Sequence, residues 1–87
     1  MKSSNILIIG AGSIGNHFAN ASRSLGYNVY VMDKYPVALH RMRNKIYPQR
    51  YKKWDKNICL SKFEKKELLQ LPPIDLVIIG TPPATHF

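Results

Sequence analysis

The stretch from Ile6 to Gly15, which reads ILIIGAGSIG, constrains the fold of this chain more than any other. It opens with an uninterrupted aliphatic run from Ile6 to Ile9, as expected for a strand that is buried on both faces of a parallel sheet. Three glycines follow with the spacing Gly-x-Gly-x-x-Gly, at Gly10, Gly12 and Gly15. The stretch therefore predicts a strand that runs directly into a glycine turn.

The residues after this turn have the periodicity of a helix. Apolar side chains recur at positions i, i+4, i+7 and i+11, which predicts a helix face that lies on the sheet: Ile14, Phe18, Ala21 and Leu25. Gly26 is predicted to end the helix. A strand, a glycine turn and a helix in this order form the setting in which the glycine spacing binds a dinucleotide. The alternative is a glycine-rich turn that binds no ligand.

Each part of the turn has a predicted role in dinucleotide binding. Gly10 permits the tight turn, Gly12 lets the backbone approach the pyrophosphate, and Gly15 lets the helix pack closely on the strand. The backbone N–H groups near Ser13 and Ile14, in the first turn of the helix, are expected to bind the phosphates together with the positive end of the helix dipole.

A second strand is predicted from Asn28 to Met32 by its β-branched and aromatic residues. Asp33 follows it at close to the ~20-residue distance from the glycines at which an acid accepts hydrogen bonds from the adenosine ribose hydroxyls. Because a carboxylate repels a 2′-phosphate, Asp33 favours NAD over NADP. The neighbouring cation Lys34 could pair with that phosphate, so NADP stays an alternative. Asp33 could instead be a plain turn residue or a helix cap ahead of Pro36.

The middle of the chain has weaker signals. A second helix is predicted from Val37 to Ile46, whereas residues 47–57, which include Pro48 and lack clear periodicity, are predicted to form a loop. A short third strand is predicted from Ile58 to Leu60. Within it, Cys59 is expected to be a small buried apolar residue.

The last part of the chain completes the predicted sheet. The capping-box spacing of Ser61 and Glu64 predicts the start of a short third helix. The strand from Ile74 to Gly80 resembles Ile6 to Gly10, so these two strands are predicted to be central neighbours. The predicted fold class is α/β, with a Rossmann-like, doubly wound parallel sheet of about four strands in the order 3-2-1-4 and helices on both faces. Residues 1–87 are interpreted as the amino-terminal part of one dinucleotide-binding domain.

The sequence after the last strand, TPPATHF, is expected at the same sheet edge as the glycine turn. Ligands of open α/β sheets bind at this edge, beyond the carboxyl ends of the strands. Thr81 and Pro82 are predicted to begin a rigid lip there, because proline stiffens the backbone and cannot donate to a strand ladder. His86 is either a ligand contact and proton donor or a structural residue at the start of a helix.

The net charge of +8 is concentrated between Lys34 and Lys66, which hold eleven of the thirteen lysines and arginines. With Tyr47, Tyr51 and Trp54 interleaved, this tract could be a nucleic-acid surface. The favoured interpretation is a solvated face beside an anionic cofactor, because no recognised nucleic-acid motif accompanies the charge.

Composition also bears on compartment and metal binding. No apolar run approaches the ~20 residues of a membrane span, so a cytoplasmic protein is expected. Cys59 is the one cysteine, which excludes an internal disulfide and a cysteine zinc cluster, and no metal site is predicted.

The motif GAGSIG, the acid Asp33 and the ending IDLVIIGTPPATH together resemble the amino-terminal part of the Gfo/Idh/MocA oxidoreductases. The resemblance implies an NAD(P)-dependent dehydrogenase or reductase that transfers a hydride at nicotinamide C4, with a sugar or polyol as substrate. The glycines and Asp33 would hold the adenosine and pyrophosphate half of the cofactor. Thr81, Pro82 and His86 match the segment that borders the nicotinamide half.

The family's catalytic lysine lies in a Glu-Lys-Pro motif that this sequence lacks, so no catalytic residue is assigned. We therefore expect a fragment or truncated form that binds NAD weakly and does not turn over a sugar. One alternative function is an NAD-sensing regulatory module, similar to those of potassium-transport regulators. The other is a basic nucleic-acid-binding protein.

Overall fold

The computed structural model describes residues 4–80. The elements in chain order are β1 (Asn5–Ile9), α1 (Ser13–Ser24), β2 (Asn28–Asp33), α2 (Pro36–Arg41), a π-helical segment (Met42–Ile46), α3 (Tyr47–Tyr51), β3 (Ile58–Lys62), α4 (Lys65–Leu68) and β4 (Leu76–Ile79). Thr81, Pro82 and His86 lie outside the described residues, so the roles proposed for them stay predictions.

The described strands form a parallel sheet in the order β3-β2-β1-β4, which confirms the predicted strand order. In the middle of the sheet Ile8 is in register with Val31 on one side and with Ile78 on the other. The two most apolar strands, β1 and β4, are neighbours as predicted. Within residues 4–80, however, β4 is an edge strand rather than a central one, and its Ile79 is 63% exposed.

The core lies between the sheet and the first two helical regions. Helix α1 contacts β1, β2 and the π-helical segment, so these helical regions share one face of the sheet. Ile8, Val31 and Met42 are fully buried between them. From β1 to β3 each new strand is added on the same side of the previous one, and the chain then crosses back to add β4 on the other side of β1. With right-handed crossovers, this reversal of the strand order places α4 on the opposite face of the sheet. Helix α4 has only four residues and covers little of that face.

The predicted buried face of α1 is wrong. Ile14 is 48% exposed, and Phe18 and Leu25 are exposed as well, whereas the helix buries Gly15, Ala19 and Ser22. These small residues also recur at helical spacing, and they let the helix axis come close to the strands. Periodicity of the large apolar residues indicated the wrong face because close packing, rather than side-chain size, decides which face meets the sheet.

The end of α1 agrees with the prediction. Gly26 has a φ of +84° and follows the last turn of the helix. Its N–H donates to the carbonyl of Arg23 at 2.9 Å, and the N–H of Tyr27 donates to the carbonyl of Ser22 at 3.1 Å. This pair of bonds is the arrangement with which a left-handed glycine ends a helix.

The predicted loop over residues 47–57 is wrong in its first part, because the helical stretch that begins at Pro36 continues to Tyr51. A proline inside an α-helix lacks an N–H and clashes with the carbonyl four residues before it. Here a π turn precedes Pro48, and the N–H of Tyr47 donates to the carbonyl of Met42, five residues back. The wider turn accommodates the proline in the first turn of α3.

The third strand and third helix differ from the prediction in detail. Strand β3 is confirmed but extends to Lys62, so Ser61 lies in the strand and the predicted capping box is wrong. Helix α4 begins after Glu64 without a side-chain cap from the described residues. Cys59 is exposed rather than buried, because β3 is an edge strand whose alternate residues, Ile58 and Leu60, face the core.

The ion pair between Arg23 and Asp55 ties the end of α1 to the loop before β3. The guanidinium Nε lies 2.9 Å from the Asp55 carboxylate, which also accepts the N–H of Asn57 at 2.9 Å. Burial raises the pKa of the Asp55 carboxyl, but the hydrogen bonds from Arg23 and Asn57 and the nearby charges lower it more, so its pKa lies below the ordinary value. The ionised carboxylate therefore stabilises the fold.

We predict that Asp55→Asn lowers the free energy of unfolding by about 1 kcal/mol at pH 7. A carboxyl whose pKa is lowered by folding stabilises the protein above its unfolded pKa of about 3.9, and this contribution is lost as the pH falls through the folded pKa. Urea unfolding at a series of pH values should therefore show the two proteins converging in acid. Glu67→Gln is the control, because Glu67 forms no ion pair within residues 4–80. A destabilisation that does not change with pH would contradict the ion-pair explanation.

Candidate nucleotide-binding site

The glycine turn lies at the carboxyl edge of the sheet, where the strand order reverses. Gly10 follows β1 and donates its N–H to the carbonyl of Met32 at 2.7 Å. Gly80 follows β4 and donates its N–H to the carbonyl of Ile9 at 2.7 Å. Because the chain leaves β1 toward β2 and later returns to the other side of β1, this edge is the topological switch point at which open α/β sheets bind ligands.

Three glycines pack against one another where α1 leaves the sheet. Gly10 has a φ of +114°, a conformation that side chains other than glycine rarely adopt. A Cβ at Gly15 would overlap the carbonyl oxygen of Gly10, and a Cβ at Gly80 would lie 3.1 Å from the N of Gly15. The tight turn at Gly10 and the close packing at Gly15 are therefore as predicted. Gly80 was identified only as the end of a strand, and the structure shows that it belongs to the same contact.

The first turn of α1 presents open backbone. Gly12 is the N-cap residue, and a Cβ built on it would meet no described atom within 4 Å. Ser13 and Ile14 follow and are exposed. No side chain within residues 4–80 caps this helix, and its first turn carries no acid. The positive end of the helix dipole and its N–H groups are thus available to an anion, which fits a pyrophosphate.

Asn16 orients the peptides of the turn, a role that the sequence did not reveal. Its fully buried side chain donates from Nδ2 to the carbonyls of Ala11, at 3.1 Å, and Gly12, at 2.7 Å. Since the peptide bonds are trans, the N–H on the other side of each peptide points away from Asn16. The N–H groups of Gly12 and Ser13 therefore point away from the interior.

Asp33 is joined directly to the glycine turn. Its Oδ2 accepts the N–H of Ala11 at 3.0 Å, and its Oδ1 accepts the N–H of Tyr35 at 2.9 Å. The second bond is that of a turn aspartate. The alternative of a helix cap is wrong, because α2 begins after Tyr35 and no described side chain caps it. A carboxylate offers about four lone-pair positions, so Asp33 can still accept hydrogen bonds from ribose hydroxyls.

Two cations lie close to this edge. Lys34 follows Asp33, is exposed, and holds its Nζ 5.1 Å from the centre of the Tyr35 ring. Arg50 comes from α3 and donates to the carbonyl oxygen of Ser13 at 2.9 Å and to the Ser13 Oγ at 2.6 Å. Sequence reasoning missed Arg50 because it lies in the segment predicted to be a loop, and no periodicity or motif singles it out from the other basic residues.

The three interleaved aromatic residues of the basic tract pack on one another: Tyr47, Tyr51 and Trp54. Tyr47 packs edge to face on Tyr51 and Trp54, with ring centres 4.7 Å and 5.2 Å apart. Its buried hydroxyl lies 3.3 Å from the Asn20 side chain, and burial, followed by the Asp55 charge, raises its pKa. Rings that pack on one another inside the fold are not a platform on which bases stack. This packing weakens the nucleic-acid alternative.

An open cavity of about 550 Å³ lies beside these rings. Its charged groups include Arg23 and Asp55, which pair with each other. Within residues 4–80 no group of three or more metal-ligating side chains occurs, and no helix combines the length and hydropathy of a membrane span.

Comparison with known families identifies the kind of domain. The family model described as 3-hydroxyacyl-CoA dehydrogenase, NAD binding domain, matches residues 5–71. The chain belongs to this family. No curated protein and no solved structure matches it significantly.

This NAD-binding domain is thus a Rossmann domain of a dehydrogenase family. The family match confirms NAD as the predicted cofactor. The narrower resemblance to Gfo/Idh/MocA oxidoreductases is not supported. The matched residues include the glycine turn, Asp33 and Arg50, but they end before β4 and the TPPATH segment. The segment on which that resemblance most depends lies outside the matched range.

We predict that Gly15→Ala lowers the free energy of unfolding by about 3 kcal/mol, because the new Cβ must displace the Gly10 carbonyl from the site of closest packing. Gly12→Ala is the matched control, since a Cβ there meets open space, and it should cost less than about 1 kcal/mol. Chemical unfolding of the three proteins tests the difference. Equal losses in the two variants would contradict the packing explanation, since alanine otherwise favours the helix at position 15.

Proposed function

We propose that this chain supplies the NAD site of a dehydrogenase that exchanges a hydride with a hydroxyl-bearing carbon of its substrate. The observation that carries the proposal is the hydrogen bond between the glycine turn and Asp33, in which the Ala11 N–H donates to the carboxylate at 3.0 Å. This bond holds the Asp33 carboxylate, which would accept ribose hydroxyls, beside a helix N-terminus that no described side chain caps and that would suit phosphates. When bound, the nicotinamide ring supplies the hydride acceptor or donor at C4.

Each group of residues would bind a different part of the cofactor. Gly10 shapes the turn, Gly12 keeps the approach to the backbone open, and Gly15 fixes the helix against the strand. The N–H groups of Gly12, Ser13 and Ile14 would bind the pyrophosphate. Asp33 would accept the adenosine ribose hydroxyls and, by its negative charge, favour NAD over NADP. Lys34 would then lie beside the ribose without selecting a 2′-phosphate.

The substrate would be a secondary alcohol or the corresponding ketone. The family description names 3-hydroxyacyl-CoA, and the resemblance of the TPPATH segment suggests a sugar or polyol. In either case Thr81, Pro82 and His86 would border the nicotinamide half of the site. The described side chains at the turn are binding groups, so we propose that the acid and base of the reaction lie elsewhere in the protein.

Titration calorimetry with NAD and NADP tests the proposal directly. We expect saturable NAD binding and weaker NADP binding. The absorbance of reduced nicotinamide, followed after addition of a 3-hydroxyacyl-CoA or a sugar, then distinguishes substrate classes. Turnover requires a protein that also carries the acid and the base, so NAD binding without turnover in that protein would favour the NAD-sensing alternative. The absence of NAD binding would refute the proposed function.

We predict that Asp33→Ala weakens NAD binding about ten-fold or more, because hydrogen bonds to a charged acceptor are lost, and that it reduces the preference for NAD over NADP. Asp75→Ala is the control. Its carboxylate also accepts a backbone N–H, that of Asn5 at 2.7 Å, but it precedes β4 and lies at the amino edge of the sheet. Similar losses of NAD affinity in both variants would indicate a general charge effect rather than a ribose contact.

We predict that Gly12→Ala binds NAD at least about ten-fold more weakly while it stays folded, because a methyl group occupies the space through which the pyrophosphate approaches the backbone. Circular dichroism verifies the fold and calorimetry gives the affinity. Unchanged NAD affinity in the folded variant would contradict the position assigned to the pyrophosphate.

A further inference from the structure

We propose that Arg50 is a binding residue for the cofactor's pyrophosphate. This inference rests on the proposed function and assigns a residue to the same site. Arg50 lies 37 positions after Ser13 in sequence, but two of its guanidinium nitrogens hydrogen-bond to that residue, at 2.9 Å and 2.6 Å. Ser13 is the first residue of α1, so the guanidinium lies beside the first turn of this helix.

The position is electrostatically unfavourable for a cation unless an anion binds there. The N-terminus of a helix carries a partial positive charge, and natural sequences favour acids rather than arginines at this place. Arg50 has no carboxylate partner within residues 4–80, in contrast to Arg23, which pairs with Asp55. The two like charges at the turn would both be neutralised by a pyrophosphate.

The geometry leaves donors for such an anion. A guanidinium carries five N–H groups, and the contacts with Ser13 use two of them. The side chain is exposed, so the remaining donors can reach a ligand. The Ser13 contacts also hold the flexible side chain in place, which reduces the entropy that a ligand would otherwise have to offset.

The π-helical segment explains how α3 directs Arg50 toward the turn. One extra residue in a helical turn rotates every later side chain by about 100° around the axis. Because the segment Met42–Ile46 precedes α3, the direction of Arg50 depends on this rotation. Single π turns occur frequently at functional sites, and here the turn both admits Pro48 and sets the position of Arg50.

Calorimetry with NAD, NADP and ADP-ribose on the 87-residue chain tests the inference. All three ligands contain the pyrophosphate, so Arg50→Gln should weaken each by a similar factor, about ten-fold or more. Arg50→Lys should recover part of the loss, because it keeps the charge but not the planar fork. Arg43→Gln is the matched control: it removes the same charge from an exposed arginine of the same helical stretch, and should change the affinities less than about two-fold, as expected for a screened surface charge.

Chemical unfolding without ligand separates a binding role from a structural one. Arg50→Gln should leave the unliganded chain as stable as before, since it removes a cation from a helix N-terminus, while the stabilisation by added NAD should fall. Equal effects of Arg50→Gln and Arg43→Gln, a loss confined to NADP, or unchanged NAD affinity would each refute the pyrophosphate contact. Failure of the unmodified chain to bind NAD or ADP-ribose would refute the proposed function itself.

Discussion

The contact of α1 with the ends of β1 and β4 is the constraint on which the site depends. Only glycine fits at Gly15, where a side chain would collide with the Gly10 carbonyl, and Gly80 closes the contact from the neighbouring strand. Because the helix axis comes this close to the sheet, the helix N-terminus lies directly at the switch point of the strand order. The same closeness explains why α1 buries alanine and serine and leaves Phe18 exposed.

Two side chains then hold the turn in one conformation. Asn16 binds the carbonyls of Ala11 and Gly12 from inside the fold, and Asp33 binds the N–H of Ala11 from the end of β2. These hydrogen bonds therefore restrain one short backbone segment from both sides. A site whose donors are already oriented does not have to order them on binding, and this lowers the cost of association.

The features that were predictable from sequence are those with a local cause. The aliphatic run, the glycine spacing and the distance to Asp33 are each set by backbone chemistry within a few residues, and parallel strands of this type have few permitted orders. The buried face of α1, the exposure of Cys59 and the contact of Arg50 with Ser13 depend instead on which elements meet in space. From sequence Pro48 predicts the end of a helix, but the π turn before it, which no side-chain pattern signals, lets the helical stretch continue.

Opposite charges on the two sides of the turn indicate how a dinucleotide would be oriented in the proposed site. Asp33 is bonded to Ala11 and Arg50 to Ser13, so a carboxylate and a guanidinium are fixed to backbone positions that only Gly12 separates. A dinucleotide has the matching order of groups, since its ribose offers neutral hydroxyl donors and its pyrophosphate offers anionic acceptors. The carboxylate would repel the pyrophosphate, and the guanidinium has no acceptor for a hydroxyl proton. In the proposed complex the adenosine ribose would therefore lie on the Asp33 side and the pyrophosphate on the Arg50 side.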